Sequence, residues 1–442
     1  MTPAAPPRPW RRALAWLCFL GPFFFATYFL ANWIAAQRTS VPALVFEWER
    51  AIPFLAWTIV PYWIIDALYA LSLFVCKSRA ELDAHAKRLL TAQVIAIAFF
   101  IALPHRFSFE RPPVEGIFGT LFEVLLGFDK PFNQIPSLHI ALAVILWSLY
   151  VRNARGVARI LLDVVFMLIA ASVLTTYQHH FIDIPTGFAL GWLCVWLWPL
   201  PETGIAAPAS LWRYPADPAR HRLAALYGAG ALAFAVAAYS LGGAALWLGW
   251  PALALALVAA CYAGLGAAGF QKQADGRLTL ASQWLLGPYL AAAWINSRWW
   301  TRRHPAPVAI GDDVWIGRMP SRRDARSTRF AGIVDLTAEL SLPRGPAQRE
   351  IIPVLDLTTP EPSQLARAAA AIEKLRTRGP VLVCCALGYS RSASAVAAWL
   401  LTTGRVPDPA AAFARLRDAH ARVVLTHNHE KALQDMRAPT RP

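Results

Sequence analysis

Val381-Leu-Val-Cys-Cys-Ala-Leu-Gly-Tyr-Ser-Arg-Ser-Ala-Ser-Ala-Val-Ala-Ala-Trp-Leu-Leu401 is the stretch that decides the fold of the C-terminal part of this chain. Val381 to Cys384 form an apolar run of strand length, and Ser392 to Leu401 carry a helical pattern. The loop between them holds Cys385, Gly388 and Arg391. A loop in that setting points backbone N–H groups at one centre, at a helix N-terminus, where negative charge is favoured. Such a centre suits both a phosphate dianion and a thiolate, so Cys385 is the candidate nucleophile. Arg391 offers a planar fork for two phosphate oxygens. Gly388 permits the positive φ that a tight loop needs.

Cys385-x5-Arg391 followed by Ser392 resembles the signature of the dual-specificity branch of the protein tyrosine phosphatases. The resemblance implies an α/β phosphatase domain over 305–442, working through a phosphocysteine intermediate. It also implies that Ser392 hydrogen-bonds the sulfur and helps it leave, and that an upstream Asp protonates the leaving oxygen. Asp356, in Ile351-Ile-Pro-Val-Leu-Asp356-Leu-Thr-Thr-Pro360, stands in that place, ahead of a helical pattern from Ser363 to Arg376. Val314–Arg318 and Gly332–Thr337 resemble the family's early strands. The family has His before the nucleophile; here Cys384 stands there.

The preceding 300 residues have another character. The chain is 57% hydrophobic, with 19 Trp and 23 Phe, too apolar for a purely soluble protein. Long apolar runs at 13–36, 52–76, 89–104, 140–151, 157–177, 182–200, 223–241 and 244–270 mostly approach the ~20 residues that span a bilayer. They predict eight spanning helices, the fourth extended backwards through Pro136. The first run is too long for a removable signal peptide. A ninth stretch, Leu278–Trp300, contains Gly287-Pro288, carries four Trp and has cations at both ends; it reads as a helix lying in the membrane interface. The expected organisation is an all-α membrane domain over 1–205, two further spans with an interfacial helix and linker over 206–304, and the α/β domain.

Charge sets the expected orientation. Arg8, Arg11, Arg12, Lys77, Arg79, Lys87, Arg88, Arg152, Arg155, Arg159, Arg213, Arg220 and Arg222 fall in loops on one side, the cytoplasm by the positive-inside rule. The C-terminal domain is then cytoplasmic too, where a reactive Cys385 beside Cys384 suits a reducing compartment. The other cysteines sit in apolar runs without metal or disulfide spacing, so no metal and no cofactor are expected. The net charge of +15 follows from basic loops facing anionic headgroups, and no nucleic-acid module accompanies it.

Three polar groups fall on the opposite face: His105–Pro112 with Arg106 and Arg111, Pro136-Ser137-Leu138-His139, and Thr175–Asp183 with His179, His180 and Asp183. Arg111-Pro112, Pro-Ser-Leu-His and His179-x3-Asp183 resemble the three motifs of the type 2 phosphatidic acid phosphatase superfamily, and Leu138 resembles its inositolphosphotransferase-like branch. The resemblance implies a six-helix core. It makes His179 the phosphoryl-accepting nucleophile oriented by Asp183, and His139 the proton donor. It makes Arg111 and Arg106 the phosphate-holding cations, with Ser137 adding a hydrogen bond. Two further cations of the motifs would fall at Pro104 and Val173, where none stands.

Fusions of these two modules occur among bacterial inner-membrane proteins, and the chain resembles them, with its membrane-half site on the periplasmic face. Three functions follow as expectations: two phosphatase sites, acting on phospholipid or lipid-phosphate monoesters; a lipid headgroup phosphotransferase beside a separate phosphatase; or an inactive membrane anchor carrying a protein phosphatase.

Overall fold

A computed structural model describes residues 8–215 and 217–437. The chain divides into two compact units, Met1–Ala207 and Pro208–Pro442.

The first unit is helical: α1 (Trp10–Ala36), α2 (Ile59–Val75), α3 (Arg79–Ala102), α4 (Gly116–Phe128), α5 (Leu138–Tyr150), α6 (Gly156–Thr175) and α7 (Asp183–Leu197). Start signals explain the boundaries. Ser78 caps α3 by accepting from the Glu81 N–H, while the Glu81 carboxylate accepts from the Lys77 N–H, a reciprocal arrangement that satisfies two orphan donors. Ser137 caps α5 through the Ile140 N–H. That cap fixes the start at Leu138, so the expected extension through Pro136 does not occur. The core helix α5 is buried along most of its length and packs against α7. The approach depends on Gly187, where a Cβ would collide with the Ser137 carbonyl.

Helix α4 was not anticipated; its glycines, Thr120 and Glu123 broke the apolar run. Six helical segments among the described residues are long and apolar enough to cross a membrane: Trp10–Ala36, Ala56–Val75, Arg79–Ala102, Gly156–Thr175, Pro218–Leu241 and Gly243–Phe270. Two of the eight expected spans fall short of that length. α5 has 13 residues and α7 has 15, about 20 Å of helix each against a hydrocarbon core of ~30 Å.

The second unit opens with α8 (Pro218–Leu241) and α9 (Gly249–Ala260), followed by a short α10 (Leu280–Leu285) and then by α11 (Gly287–Trp300). The expected single interfacial helix is thus two, divided where Pro288 brings no N–H to the ladder. Then come β1 (Val308–Gly311), β2 (Val314–Arg318), α12 (Arg322–Arg326), β3 (Gly332–Thr337), β4 (Gln348–Val354), α13 (Pro362–Arg376), β5 (Val381–Cys385), α14 (Arg391–Thr402), α15 (Pro409–Ala419) and α16 (His427–Arg437). The sheet order is β1-β2-β5-β3-β4, with only β1–β2 antiparallel. β3 and β5 are buried throughout, as expected for central parallel strands covered on both faces. α14 is buried from Arg391 to Leu401, which its run of Ala, Ser and Val permits.

Candidate active sites

β5 ends at Cys385 and α14 begins at Arg391, so the loop between them lies at the C-terminal edge of a parallel sheet, where α/β folds place ligands. The Cys385 Sγ accepts the Gly388 N–H at 3.2 Å and lies 3.3 Å from the Ser392 Oγ. Gly388 has φ +86°, and a Cβ there would come within 2.6 Å of the Gly317 carbonyl carbon. Glycine is therefore required both for the conformation and for the close approach of β2.

Arg391 is the other pole of the loop. Its Nη1 donates to Glu339 Oε2 (2.9 Å) and to the Val354 carbonyl (2.8 Å), and its Nη2 donates to Glu339 Oε1 (2.7 Å). Asp356 Oδ1 lies 2.9 Å from the same Nη2. Arg391 is 2% exposed at the side chain and Asp356 38%, so the carboxylate of Asp356 reaches solvent while the guanidinium does not. Burial raises the Asp356 carboxyl above its ordinary range despite the pull of Arg391, and Glu339 adds to the rise. Burial opposes charge on Glu339 as well, but Arg391 outweighs it and holds that carboxyl below its ordinary value. Two neighbouring carboxyls are thus pushed apart, one kept ionised to hold the arginine and one poised to carry a proton.

The segment before the α/β domain reaches this loop directly. The Ser297 hydroxyl donates to the Ala386 carbonyl at 2.6 Å, and the Tyr262 hydroxyl donates to the Asp356 carbonyl at 2.9 Å. Lys272, fully buried, donates to Asp335 Oδ2 (2.6 Å), the Thr337 carbonyl (2.7 Å) and Thr337 Oγ1 (2.7 Å). Asp335 is in register with Cys384. Burial, with Asp335 adding, pushes the Cys384 thiol well above its ordinary value, so Cys384 is a neutral wall residue beside an ion pair.

In the first unit the structure brings Ser137, His179 and Asp183 together. His179 Nδ1 lies 3.0 Å from Asp183 Oδ2, and its Nε2 lies 3.2 Å from Ser137 Oγ. Asp183 Oδ2 also accepts the His180 N–H at 3.1 Å. His180 is turned elsewhere, its Nδ1 2.9 Å from Glu49 and its Nε2 3.1 Å from Ser108 Oγ. Arg111 donates to the carbonyls of Thr176 and Tyr177 at 3.1 and 3.0 Å, so it braces the His179 loop. His139 stacks on Tyr62 at 4.2 Å, and among the described residues its buried Nε2 has no hydrogen-bond partner. His139 and His179 line one cavity of about 480 Å³. Arg106 is exposed and is not among the residues lining that cavity.

Several residues escaped the sequence reading. Glu339 sits just past β3, and a carboxylate at the C-terminal end of a parallel strand was a usable signal. Asp66 and Asp129, which line the histidine cavity, lay inside or between apolar runs with no motif to mark them. Tyr262, Lys272 and Ser297 could be connected to the Cys385 loop only through the tertiary fold.

Residues 85–203 match the family model of the PAP2 superfamily. No curated protein matches the chain. Among solved structures, the chain is similar to Tk-PTP in its active form (24% identity, 30% of this chain and 97% of that chain, TM-score 0.28). It is also similar to human DUSP28 (20% identity, 30% and 93%, TM-score 0.27) and to PTPMT1 in complex with PI(5)P (16% identity, 29% and 93%, TM-score 0.27). The PAP2 superfamily match supports a phosphatase of the phosphoric monoester hydrolase class, in a chain with six helical segments among the described residues long and apolar enough to cross a membrane.

Proposed function

We propose that the chain is an integral membrane phosphatase that removes phosphate monoesters from phospholipid headgroups at the Cys385 site. The observation that carries this reading is the cradle itself: Cys385 Sγ held by the Gly388 N–H and beside Ser392, with Arg391 pinned between Glu339 and Asp356. The Cys385 thiolate attacks phosphorus, and the P–O bond to the leaving alcohol breaks. Asp356 gives that oxygen its proton. Arg391 and the loop N–H groups hold the equatorial oxygens as charge builds on them. Water then attacks the phosphocysteine, giving its proton to the Asp356 carboxylate, while Ser392 donates to the departing sulfur.

A lipid substrate is favoured by the company the loop keeps. The same compact unit contains two segments fit to cross a membrane, and α11, rich in Trp, touches the loop through Ser297. A site fixed to a bilayer meets membrane-borne substrate at high effective concentration. By the distribution of loop charges this site lies on the cytoplasmic side, and the His179 site on the other.

For the membrane half a second reading has its own support. Asp66 and Asp129 line the cavity with His139 and His179, while Arg111 is occupied by backbone carbonyls. Carboxylates accept hydrogen bonds from hydroxyl groups and repel a second anion, which favours transfer from phosphohistidine to an alcohol. The test is phosphate release from a phospholipid panel in detergent micelles, comparing wild type, Cys385→Ser, His179→Ala and the double variant. Loss of release from a monoester lipid in Cys385→Ser alone supports the main reading. Undiminished release in Cys385→Ser sinks it, and release lost from different lipids in each single variant assigns hydrolysis to both halves.

A further inference from the structure

A cavity of about 810 Å³ lies in the second unit between α10, α11 and the α/β domain. Five arginines line it: Arg277, Arg298, Arg322, Arg326 and Arg344. Among the described residues, the side chains of Arg277, Arg322, Arg326 and Arg344 have neither a carboxylate partner nor a hydrogen bond. Arg298 donates one hydrogen bond, to the Met319 carbonyl at 2.9 Å, and lies over the Trp294 ring at 5.6 Å; among the described residues its buried Nε and Nη1 have no hydrogen-bond partner. The nearby acids are committed elsewhere. Glu339 spends both oxygens on Arg391, and Asp324 closes the capping box of α12 with Ser321. Like charges gathered around one cavity, with buried donors unspent, create a potential that an anion would relieve. Leu290, Trp294 and Leu342 add apolar lining beside the arginines. Cys385 and the loop to Arg391 do not line the cavity, while Glu339, which grips Arg391, forms part of its wall, so the cavity adjoins the phosphate cradle without containing its nucleophile.

We propose that this cavity is a second, non-catalytic anion site that binds a phosphate-bearing headgroup, its oxygens on the arginine forks and its remaining part against Leu290 and Trp294. Guanidinium groups bind phosphate through paired N–H donors, and the apolar lining adds favourable burial when the phosphate belongs to a lipid. The proposal goes beyond the catalytic reading, because it concerns binding and holds whether or not Cys385 turns substrate over.

The experiment uses the full chain in neutral-lipid nanodiscs, carrying Cys385→Ser and His179→Ala so that ligand is not consumed. Dioctanoyl phosphatidic acid and glycerol 3-phosphate are titrated separately by calorimetry. Arg326→Gln with Arg344→Gln removes two exposed cavity arginines without touching the core, and Arg323→Gln, on the same short helix but outside the cavity lining, is the control. The expected result is a tenfold or greater rise in Kd for phosphatidic acid in the double arginine variant and none in Arg323→Gln. Phosphatidic acid binding at least tenfold tighter than glycerol 3-phosphate identifies a lipid headgroup as the ligand. Equal affinities, equally dependent on the arginines, identify a soluble phosphate instead. Titrations that superimpose for the parent and the double arginine variant, with either ligand, overturn the site.

Discussion

Arg391 is gripped bidentately by Glu339, Nη1 to Oε2 at 2.9 Å and Nη2 to Oε1 at 2.7 Å, and both side chains are 2% exposed. Glu339 occupies the Nη1/Nη2 edge and holds the guanidinium in place, so the Nε/Nη2 edge beside Asp356 is the one aimed to receive phosphate before substrate arrives. Glu339 acts through Arg391 and is a positioning residue. Glu339→Gln keeps the shape and removes the charge, so it should lower kcat/KM about 10–100-fold, the loss of one charge-assisted pair. It should also weaken competitive inhibition by inorganic phosphate by a similar factor. Glu339→Asp should recover part of both. A Glu339→Gln enzyme with unaltered phosphate inhibition would show that Arg391 needs no such support.

Asp356 is the proton carrier in this scheme, and its pH signature has a definite sign. Burial raises its carboxyl above the ordinary range, so the protonated, acid-competent form persists to higher pH than for a free Asp. Activity on a lipid monoester should fall as pH rises through that raised value. Asp356→Asn should abolish this alkaline limb and slow the reaction about 10²–10³-fold. A substrate with a good leaving group, such as p-nitrophenyl phosphate, needs the proton less and should suffer less. An Asp356→Asn profile with the alkaline limb intact assigns that limb to another group.

The strand–loop–helix around Cys385 was legible because three local signals agree there: an apolar run at 381–384, Gly388, and the helical pattern from Ser392. His179 and Asp183 stand four residues apart, a spacing that lets them meet if the turn is helical; they meet at 3.0 Å with His179 in the loop before α7 and Asp183 at its first position. What was not legible was anything carried by tertiary packing. Residues 206–304 read as spans and a linker, yet Tyr262, Lys272 and Ser297 from that stretch bond to Asp356, Asp335 and Ala386. Periodicity reports which face of a helix is apolar, not which loop that helix will meet.

Lys272 makes the buried contact most exposed to test. Its ammonium and the Asp335 carboxylate are both fully buried at 2.6 Å. Lys272→Ala leaves Asp335 charged and unpaired and should destabilise the unit by about 3–5 kcal/mol. Replacing both partners with apolar residues, Lys272→Met with Asp335→Leu, should cost far less, because no orphan charge remains. Thermal unfolding in detergent measures both. A Lys272→Ala protein as stable as wild type would mean that water or another cation reaches Asp335.

In the membrane half, Asp183 Oδ2 accepts from both the His179 ring and the His180 N–H, which fixes the imidazole with Nε2 toward Ser137 and the shared cavity. If Nε2 is the phosphoryl acceptor, incubation with phosphate-labelled lipid should label the protein in a Cys385→Ser background. That label should vanish in His179→Ala. Asp183→Asn removes the acceptor that sets the tautomer and should slow labelling about 10²-fold or more. Adding an alcohol should discharge the label faster than water does if the cavity carboxylates Asp66 and Asp129 hold an acceptor hydroxyl. Label that discharges at one rate with and without alcohol favours plain hydrolysis. Absence of label in a folded Cys385→Ser protein, whose parent with Cys385 intact releases phosphate, reduces this half to a membrane scaffold.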